Sequence, residues 1–279
     1  MSIGPCLRRV AHVTAAAAAL AVMGGAAFAQ GKLDARYTAS LAGVPVGKGA
    51  WAVEIAEDRY SSAASGRATG LMRAVAKGEG QAAARGLLSD GRLVPAAYAV
   101  SARTDDRHDQ IRMTIAAGLV RDVAVEPPVE EDDDRIPVTE AHRRNVVDPM
   151  SAGLLLVPGS ADPIGAATCE RTLPIFDGRQ RYDLVLGFKR LDKVKAEKGY
   201  EGPVVVCSVA FKPIAGHRPG RAAIKYLMQN RDMEVWLAPI AGTRVVAPFK
   251  IVIPTMIGPA VLQATQFVTT ASARTAKTQ

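Results

Sequence analysis

Short runs of alternating apolar and polar residues follow one another along almost the whole chain, and turn residues separate them. In one such run Trp51, Val53 and Ile55 alternate with Ala52 and Glu54. Alternation with a period of two is typical of half-buried strands, and turn signals roughly every ten residues indicate an antiparallel sheet. The runs that we assign to strands are 33–41, 49–56, a run beginning at 60, 80–88, 93–102, 108–116, 119–125, 173–176, 179–188, 204–211, 221–229, 233–237, 244–253 and 261–269.

One clear helix is predicted, over residues 148–156. Asp148 can cap its N-terminus, and Pro149 suits the first helical position, where no N–H is needed. If capping is the only role of Asp148, then Asp148→Asn should be nearly silent, because Asn caps a helix about as well as Asp. Residues 69–75 fit a short helix or a bend, and residues 189–202 fit a charged connection.

Two Asp-Gly pairs predict tight hairpins, because a two-residue turn of type I′ needs positive φ at both central positions. The pairs are Asp90-Gly91 and Asp177-Gly178. With Asp177 and Gly178 at the centre of the second turn, the residue before them would pair directly with the residue after them.

Together these elements predict an all-β fold: a strongly curved antiparallel sheet, barrel-like or spiral-like, with one short helix. Curling the sheet covers most of the edges that many short strands would otherwise expose. We expect a single β-rich domain over residues 30–270 and a disordered polar tail over residues 271–279.

Residues 1–29 have the features of a cleaved export signal. Arg8 and Arg9 form a positive segment, an apolar run follows to Phe28, and a small-x-small signature ends at Ala29. The alternative is a membrane-anchoring helix, but the apolar run is at the short limit for a span and contains several Gly. The sequence therefore predicts a periplasmic protein that is cleaved after Ala29 and does not span the membrane afterwards.

The formal net charge of +8 is concentrated in the second half of the chain. From Val185 to the C-terminus there are 14 Lys and Arg against 5 Asp and Glu. A basic surface favours anionic partners, which for an exported protein are an envelope lipid, a lipoprotein or an anionic glycan. A solubilising surface is the alternative. Nucleic acid is not expected, because aromatic residues make up only 5% of the chain, too few for base stacking.

Cys169 and Cys207 remain after the predicted cleavage, and in an exported protein they predict one disulfide. The predicted hairpin register places Cys169 opposite Leu186, whereas Cys207 lies one strand further on. Strands two apart are about 10 Å from each other, but a disulfide needs Cα atoms within about 7 Å. Either Cys169 lies off the strand, in the loop after Gly165, or the strand of Cys207 crosses over. We expect the first arrangement.

No sequence pattern assembles a recognisable catalytic site. The chain lacks a G-x-S-x-G elbow, a phosphate loop, a dinucleotide fingerprint and an H-E-x-x-H motif. His108, His142 and His217 stand in charged, turn-like surroundings and are expected at the surface. Asp148 and Ser151 are candidates for catalysis, but helix capping explains them more simply. We therefore expect no catalytic residues, no metal and no cofactor.

Six motifs occur in order and span most of the chain. They are Tyr37 with Gly-Val-Pro-Val-Gly at 43–47, Tyr60 ahead of Thr-Gly-Leu at 69–71, Asp-Gly-Arg-Leu-Val-Pro-Ala-Ala-Tyr at 90–98, Asp-Pro-Met-Ser-Ala at 148–152, Pro-Ile-Phe-Asp-Gly-Arg-Gln-Arg-Tyr-Asp at 174–183, and Val-Trp-Leu at 235–237 with Pro254 and Gly258. The ordered set resembles a family of exported bacterial proteins, domain of unknown function 3108. The resemblance implies a β-rich envelope protein with a coiled or barrel-like sheet, and it carries over no catalytic residues. The implied shape is also similar to the open half-barrels that carry lipoproteins or lipids across the periplasm, although fold alone does not settle function.

These observations predict a non-catalytic periplasmic protein that supports the integrity of the cell envelope. It would bind an apolar or amphipathic ligand, or a protein partner, on the inside of its curved sheet, since a concave sheet face is a natural apolar site. The alternative is an envelope hydrolase that modifies glycans or lipids with carboxylates such as Asp148 or Asp183.

Overall fold

The computed structural model describes residues 1, 30–70, 78–89, 91–130 and 132–272. Residues 2–29 of the predicted export signal, Asp90 of one predicted turn, most of 69–75 and residues 273–279 of the predicted tail lie outside the described residues. Within the described ranges, fifteen strands join in one sheet. They are β1 (Gln30–Leu41), β2 (Val44–Ile55), β3 (Arg59–Ala68), β4 (Gly78–Ser89), β5 (Arg92–Thr104), β6 (His108–Ala116), β7 (Leu119–Glu126), β8 (Leu155–Leu156), β9 (Arg171–Phe176), β10 (Arg181–Lys195), β11 (Lys198–Gly199), β12 (Glu201–Ala215), β13 (Glu234–Pro239), β14 (Val245–Thr255) and β15 (Gly258–Ser272).

The alternation in the sequence corresponds to the two faces of each strand. In β2, Trp51, Val53 and Ile55 are buried, whereas Ala52 and Glu54 are exposed. The buried faces of the first three strands pack against those of β12 to β15 and fill the inside of the sheet with one apolar cluster. Burial of alternate side chains is what fixes the register of these strands.

The strand order is β7-β6-β5-β4-β3-β2-β1-β15-β14-β13-β12-β10-β9, and nearly every pairing is antiparallel. Short β8 pairs with β14, and short β11 pairs in parallel with β15. The first strand therefore lies in the middle of the sheet beside the last, and β7 and β9 are its edges.

A short segment, residues 144–147, lies between the two edges and is called the seam segment. The Val146 N–H donates to the Gly118 carbonyl at 3.1 Å, next to β7. The Val147 N–H donates to the Pro174 carbonyl of β9 at 2.9 Å. The sheet is thus curled until its edges meet through one segment, which confirms the predicted all-β, strongly curved architecture.

In the part of the chain that the structure describes, two short α-helices interrupt the strands: α1 (Pro149–Ala152) and α2 (Ala222–Gln229). The predicted helix over 148–156 is too long, because Gly153 caps α1, and Leu155 and Leu156 pair with β14 as β8. The strand predicted over 221–229 is wrong, since these residues form α2. Ile224, Leu227 and Met228 have the i, i+3, i+4 spacing of a helix face, which the alternation in the same segment concealed.

Two other boundaries differ from the sequence prediction. The charged connection predicted over 189–202 is mostly strand, since β10 continues to Lys195 and β12 begins at Glu201. The predicted tail begins too early, since Ala271 and Ser272 pair with β1 as the end of β15.

Candidate functional site

The candidate site is a trough on the solvent-facing side of strands β1 to β6. It consists of two adjoining hollows with volumes of about 960 and 640 Å³. The opposite side of the same strands is filled by the apolar core. The open space is therefore on the outer face of the sheet, whereas the sequence analysis expected a binding face on the inside.

The floor of the trough is made of small side chains that the strand register aligns. Ala52, Ala63, Ala83 and Ala99 face one another in turn across β2, β3, β4 and β5, and all four are exposed. We call these four residues the alanine row. Directly opposed side chains on neighbouring strands are only about 5 Å apart, so large side chains at such positions would touch and cover the sheet. The methyl groups of the alanine row are too small to do so and leave an open apolar strip.

A second cross-strand row lies beside the alanine row and is more polar. Ala50, Ser65, Gln81 and Ser101 face one another across the same four strands. The trough thus has an apolar strip and a polar strip that run in parallel. A ligand with an apolar part and a hydrogen-bonding part matches this floor.

Charged side chains surround the floor, and basic ones outnumber acidic ones. The basic side chains that line the two hollows are Arg36, Lys48, Arg67, Arg85, Arg103 and Arg112. The acidic ones are Asp34, Glu54, Glu79 and Glu197. Clefts lined by an excess of one sign raise the local concentration of oppositely charged ligands, so the rim favours an anionic group.

Asp148, predicted as a helix cap, lies in a closed network beneath α1. It is completely buried, and its carboxylate accepts hydrogen bonds from the Ser151 N–H at 2.9 Å and the Ser151 hydroxyl at 2.6 Å. Pro149 occupies the first turn, as the sequence suggests. The Tyr60 hydroxyl lies 2.6 Å from the Ser151 hydroxyl, and it donates there because the serine proton already goes to Asp148. Asp148 is therefore more than a cap, since it anchors α1 to β3 through Ser151.

Burial raises the pKa of the Asp148 carboxyl, and the hydrogen bonds from Ser151 oppose that rise. Ser151 and Tyr60 are buried as well, so this carboxyl–hydroxyl pair has no open path for a substrate. Asp183, the other carboxylate considered for catalysis, is paired with Arg181 at 2.6 Å. The geometry brings neither carboxylate into the trough.

The hairpin at Asp177 and Gly178 forms one residue later than predicted. Phe176 pairs with Arg181, so Gly178 and Arg179 are the central residues of the turn. The Asp177 carboxylate accepts from the N–H groups of Arg179 and Gln180 at 2.8 and 2.7 Å, which holds Asp177 at the first corner. Gly178 has φ +97 at the first central position, where type II′ turns place glycine.

The structure contains a disulfide between Cys169 and Cys207, with Cα atoms 5.4 Å apart. Cys169 lies off the strand, at the end of a 3₁₀ turn that begins after Gly165. This is the arrangement that the sequence analysis favoured. The bond ties the segment before β9 to β12 and lies within a separate apolar cluster on the far side of β13.

Among the described residues, His108, His142 and His217 lie on separate elements and do not form one site. His108 is exposed, as expected, at the rim of the trough, whereas His142 is half-buried. His217 is buried, which corrects the expectation of a surface residue, and its Ile136 neighbour donates an N–H to its carbonyl at 3.0 Å. Burial lowers the pKa of His217.

Among the described residues, no group of three His, Cys, Asp or Glu side chains is arranged to hold a metal ion. None of the helices in the described ranges has the length and apolarity needed to cross a membrane.

Comparison with known proteins gives a family but no characterised relative. The family model described as Protein of unknown function (DUF3108) matches residues 36–265. No curated protein gives a significant match. Among solved structures, the chain is similar to the beta-barrel-like protein of domain of unknown function DUF1849 from Brucella abortus, with 9% identity and a TM-score of 0.45. That match covers 87% of this chain and 98% of the other. Because the family model extends from β1 into β15, the chain belongs to the DUF3108 family, as its motifs predicted.

Proposed function

We propose that this chain is an exported, non-catalytic protein of the cell envelope that binds an amphipathic, anionic ligand in the trough and so supports envelope integrity. The observation that carries the proposal is the pairing of the alanine row with a basic rim on one open sheet face. The export signal predicted over residues 1–29 supports an envelope location.

The dimensions of the trough suit a ligand that lies across the strands. The alanine row spans three strand spacings, about 14 Å at about 4.8 Å per spacing. An alkyl chain laid on this strip would cover the methyl groups and gain from removal of apolar surface from water. Its anionic group would then lie among the guanidinium groups of the rim, where charge-assisted hydrogen bonds are strongest.

Binding is favoured over catalysis because the candidate catalytic groups are closed or paired. Asp148 and Ser151 are buried under α1, and Asp183 is neutralised by Arg181. A hydrolase needs a nucleophile or an acid–base pair within reach of its substrate. In the trough Ser101 and His108 are 3.1 Å apart, but among the described residues no carboxylate hydrogen-bonds the His108 ring and orients it as a general base.

A pair of variants on one strand tests the trough directly. Ala99→Trp places an indole on the alanine row. Ala102→Trp places one on the opposite face of β5, at a position that is also exposed. Tryptophan suits an exposed strand position, so both variants should fold. The probe is lysophosphatidylglycerol below its micellar concentration, and lysophosphatidylcholine is the zwitterionic comparison. Isothermal titration calorimetry measures the binding of each lipid.

We expect the wild-type protein to bind the anionic lipid more tightly than the zwitterionic one. Ala99→Trp should weaken that binding at least tenfold, and Ala102→Trp should leave it unchanged. Absence of binding by the wild-type protein, or equal binding by both variants, would contradict the proposal.

In cells, loss of the gene should leave growth in plain medium nearly normal but increase sensitivity to detergents, and Ala99→Trp should reproduce that sensitivity.

A further inference from the structure

Two hairpin turns meet at one end of the sheet. The turn between β1 and β2 and the turn between β14 and β15 are adjacent, because β1 pairs with β15 up to Leu41 and Ala260. The Ala42 N–H donates to the Pro259 carbonyl at 2.9 Å. Gly258 lies so close to Ala42 that a Cβ at Gly258 would be 2.8 Å from the Ala42 methyl group. The two turns therefore form a single projecting tip.

The tip exposes apolar side chains where turns ordinarily carry polar ones. Thr255 pairs with Gly258, so Met256 and Ile257 are the central residues of the second turn. Ile257 is 71% exposed and Met256 is 61% exposed, and Val44, which directly follows the first turn, is 48% exposed. Helix α2 packs against β14, and the strand that follows it, β13, begins opposite Val252, three residues before Thr255. Met228 on α2 is exposed as well. Grouped exposed apolar residues of this kind mark interaction sites.

Basic side chains flank the tip on two sides. Lys48 and Arg67 face each other on the outer side of β2 and β3, and both are exposed. Lys225 on α2 and Arg231 just after it are exposed on the other side. Asp232 is the exposed acid beside that second pair, and Glu79 faces Arg67 across β3 and β4. The surroundings of the tip thus keep a positive excess.

We propose that this tip docks on a lipid bilayer with anionic headgroups. Met256, Ile257 and Val44 enter the boundary between headgroups and acyl chains, and the flanking lysines and arginines meet lipid phosphates. The combination of a small apolar anchor with a basic surround gives reversible attachment, since one weak anchor alone holds a protein only marginally. The tip lies at the end of the sheet where Lys48 and Arg67 line the trough, so a docked protein would present one mouth of the trough to the bilayer.

The experiment is co-sedimentation of the purified protein with vesicles. The vesicles contain phosphatidylglycerol and phosphatidylcholine in equal amounts, or phosphatidylcholine alone. The test variant is Ile257→Glu, at the most exposed residue of the tip. The matched control is Leu191→Glu, which places the same charge at a 59% exposed leucine on β10, three strands away from β14 in the sheet order.

We expect the tip variant to bind the anionic vesicles at least tenfold more weakly than wild type. The Leu191 variant should bind them as tightly as wild type. Wild-type binding should also be stronger to anionic than to neutral vesicles. The proposal fails if wild type does not bind anionic vesicles, if the tip variant binds like wild type, or if the Leu191 variant loses binding equally. It also fails if wild type self-associates in sedimentation without vesicles and the tip variant does not, because the tip would then be a contact between copies of the chain. Ala99→Trp should retain vesicle binding, which separates this proposal from that of the trough ligand.

Discussion

Ser151→Ala should lower the free energy of unfolding by about 3–5 kcal/mol, far more than the loss of one oxygen atom suggests. The Ser151 hydroxyl is the middle of a chain from Tyr60 to Asp148. Its bond to a carboxylate contributes about 1.5–3 kcal/mol, and a buried hydroxyl left without a partner costs about 1–3 kcal/mol. Tyr60 is only 2% exposed, so no water replaces the lost partner.

The reasoning is tested by a double-mutant cycle with Tyr60→Phe. That single substitution removes a hydroxyl whose partner, Ser151, stays bonded to Asp148, so it should cost only about 1 kcal/mol. In the Ser151→Ala background the same substitution should be neutral or stabilising, because it removes the orphaned hydroxyl. Unfolding in urea with the disulfide intact, followed by circular dichroism, gives the four free energies.

Two results would refute this account. One is a cost of Ser151→Ala below about 1 kcal/mol with an unchanged m-value, which would mean that the network contributes little. The other is an equal cost of Tyr60→Phe in both backgrounds, which would mean that the two hydroxyls are not coupled. Ser65→Ala, at an exposed position of the trough floor, is the control and should stay within about 0.5 kcal/mol of wild type.

Two further predictions concern the disulfide and pH. Cys207→Ser should destabilise the protein by about 2–5 kcal/mol. A reducing agent should lower the urea midpoint of wild type to that of the variant and leave the midpoint of the variant unchanged. Two free thiols in non-reducing mass spectrometry of wild type would rule out the bond. Because burial raises the pKa of Asp148 above its ordinary value of 3.8, its contribution to stability is fully present below that pH and is lost as pH rises through the folded-state pKa. The stability of wild type relative to Asp148→Asn should therefore fall as pH increases from 3.5, and a flat or rising difference would contradict the raised pKa. Asp148→Asn should itself be destabilising at neutral pH, because the amide NH2 that replaces one carboxylate oxygen is a donor and cannot accept from the Ser151 hydroxyl. We therefore no longer expect the nearly silent outcome of a simple cap.

The sequence predicts most of the sheet because alternate positions such as Trp51, Val53 and Ile55 carry a periodic signal that is local. It fails where two signals coincide. In α2, Ile224 and Met228 fit both a strand and a helix, and the segment is a helix that packs against β12 and β14. At the second hairpin, Asp177 accepts two backbone N–H groups and moves the turn by one residue, which no count of spacing reveals.

The candidate site was beyond sequence reasoning for a different reason. Ala52, Ala63, Ala83 and Ala99 are unremarkable as separate residues, and only the register of four strands places them in one row. Asp148 and Ser151 were identified as a pair, but Tyr60, the third member of the network, is 91 residues away from Ser151 in the chain. The signal that could have indicated the trough is a set of small residues at the outward-facing positions of neighbouring strands.

The pairing of β1 with β15 has a consequence for how the chain reaches this structure. The backbone groups on one edge of β1 pair with its immediate neighbour in sequence, β2. Those on the other edge pair with residues more than 200 positions later, as Leu33 does with Thr269. Such non-local pairing slows folding, because a long loop must close before any contact compensates for the lost entropy. The sheet therefore cannot become continuous until its last strand is available. If the export signal predicted over residues 1–29 directs the chain across a membrane, this delay would keep the N-terminal strands from completing a stable domain before translocation.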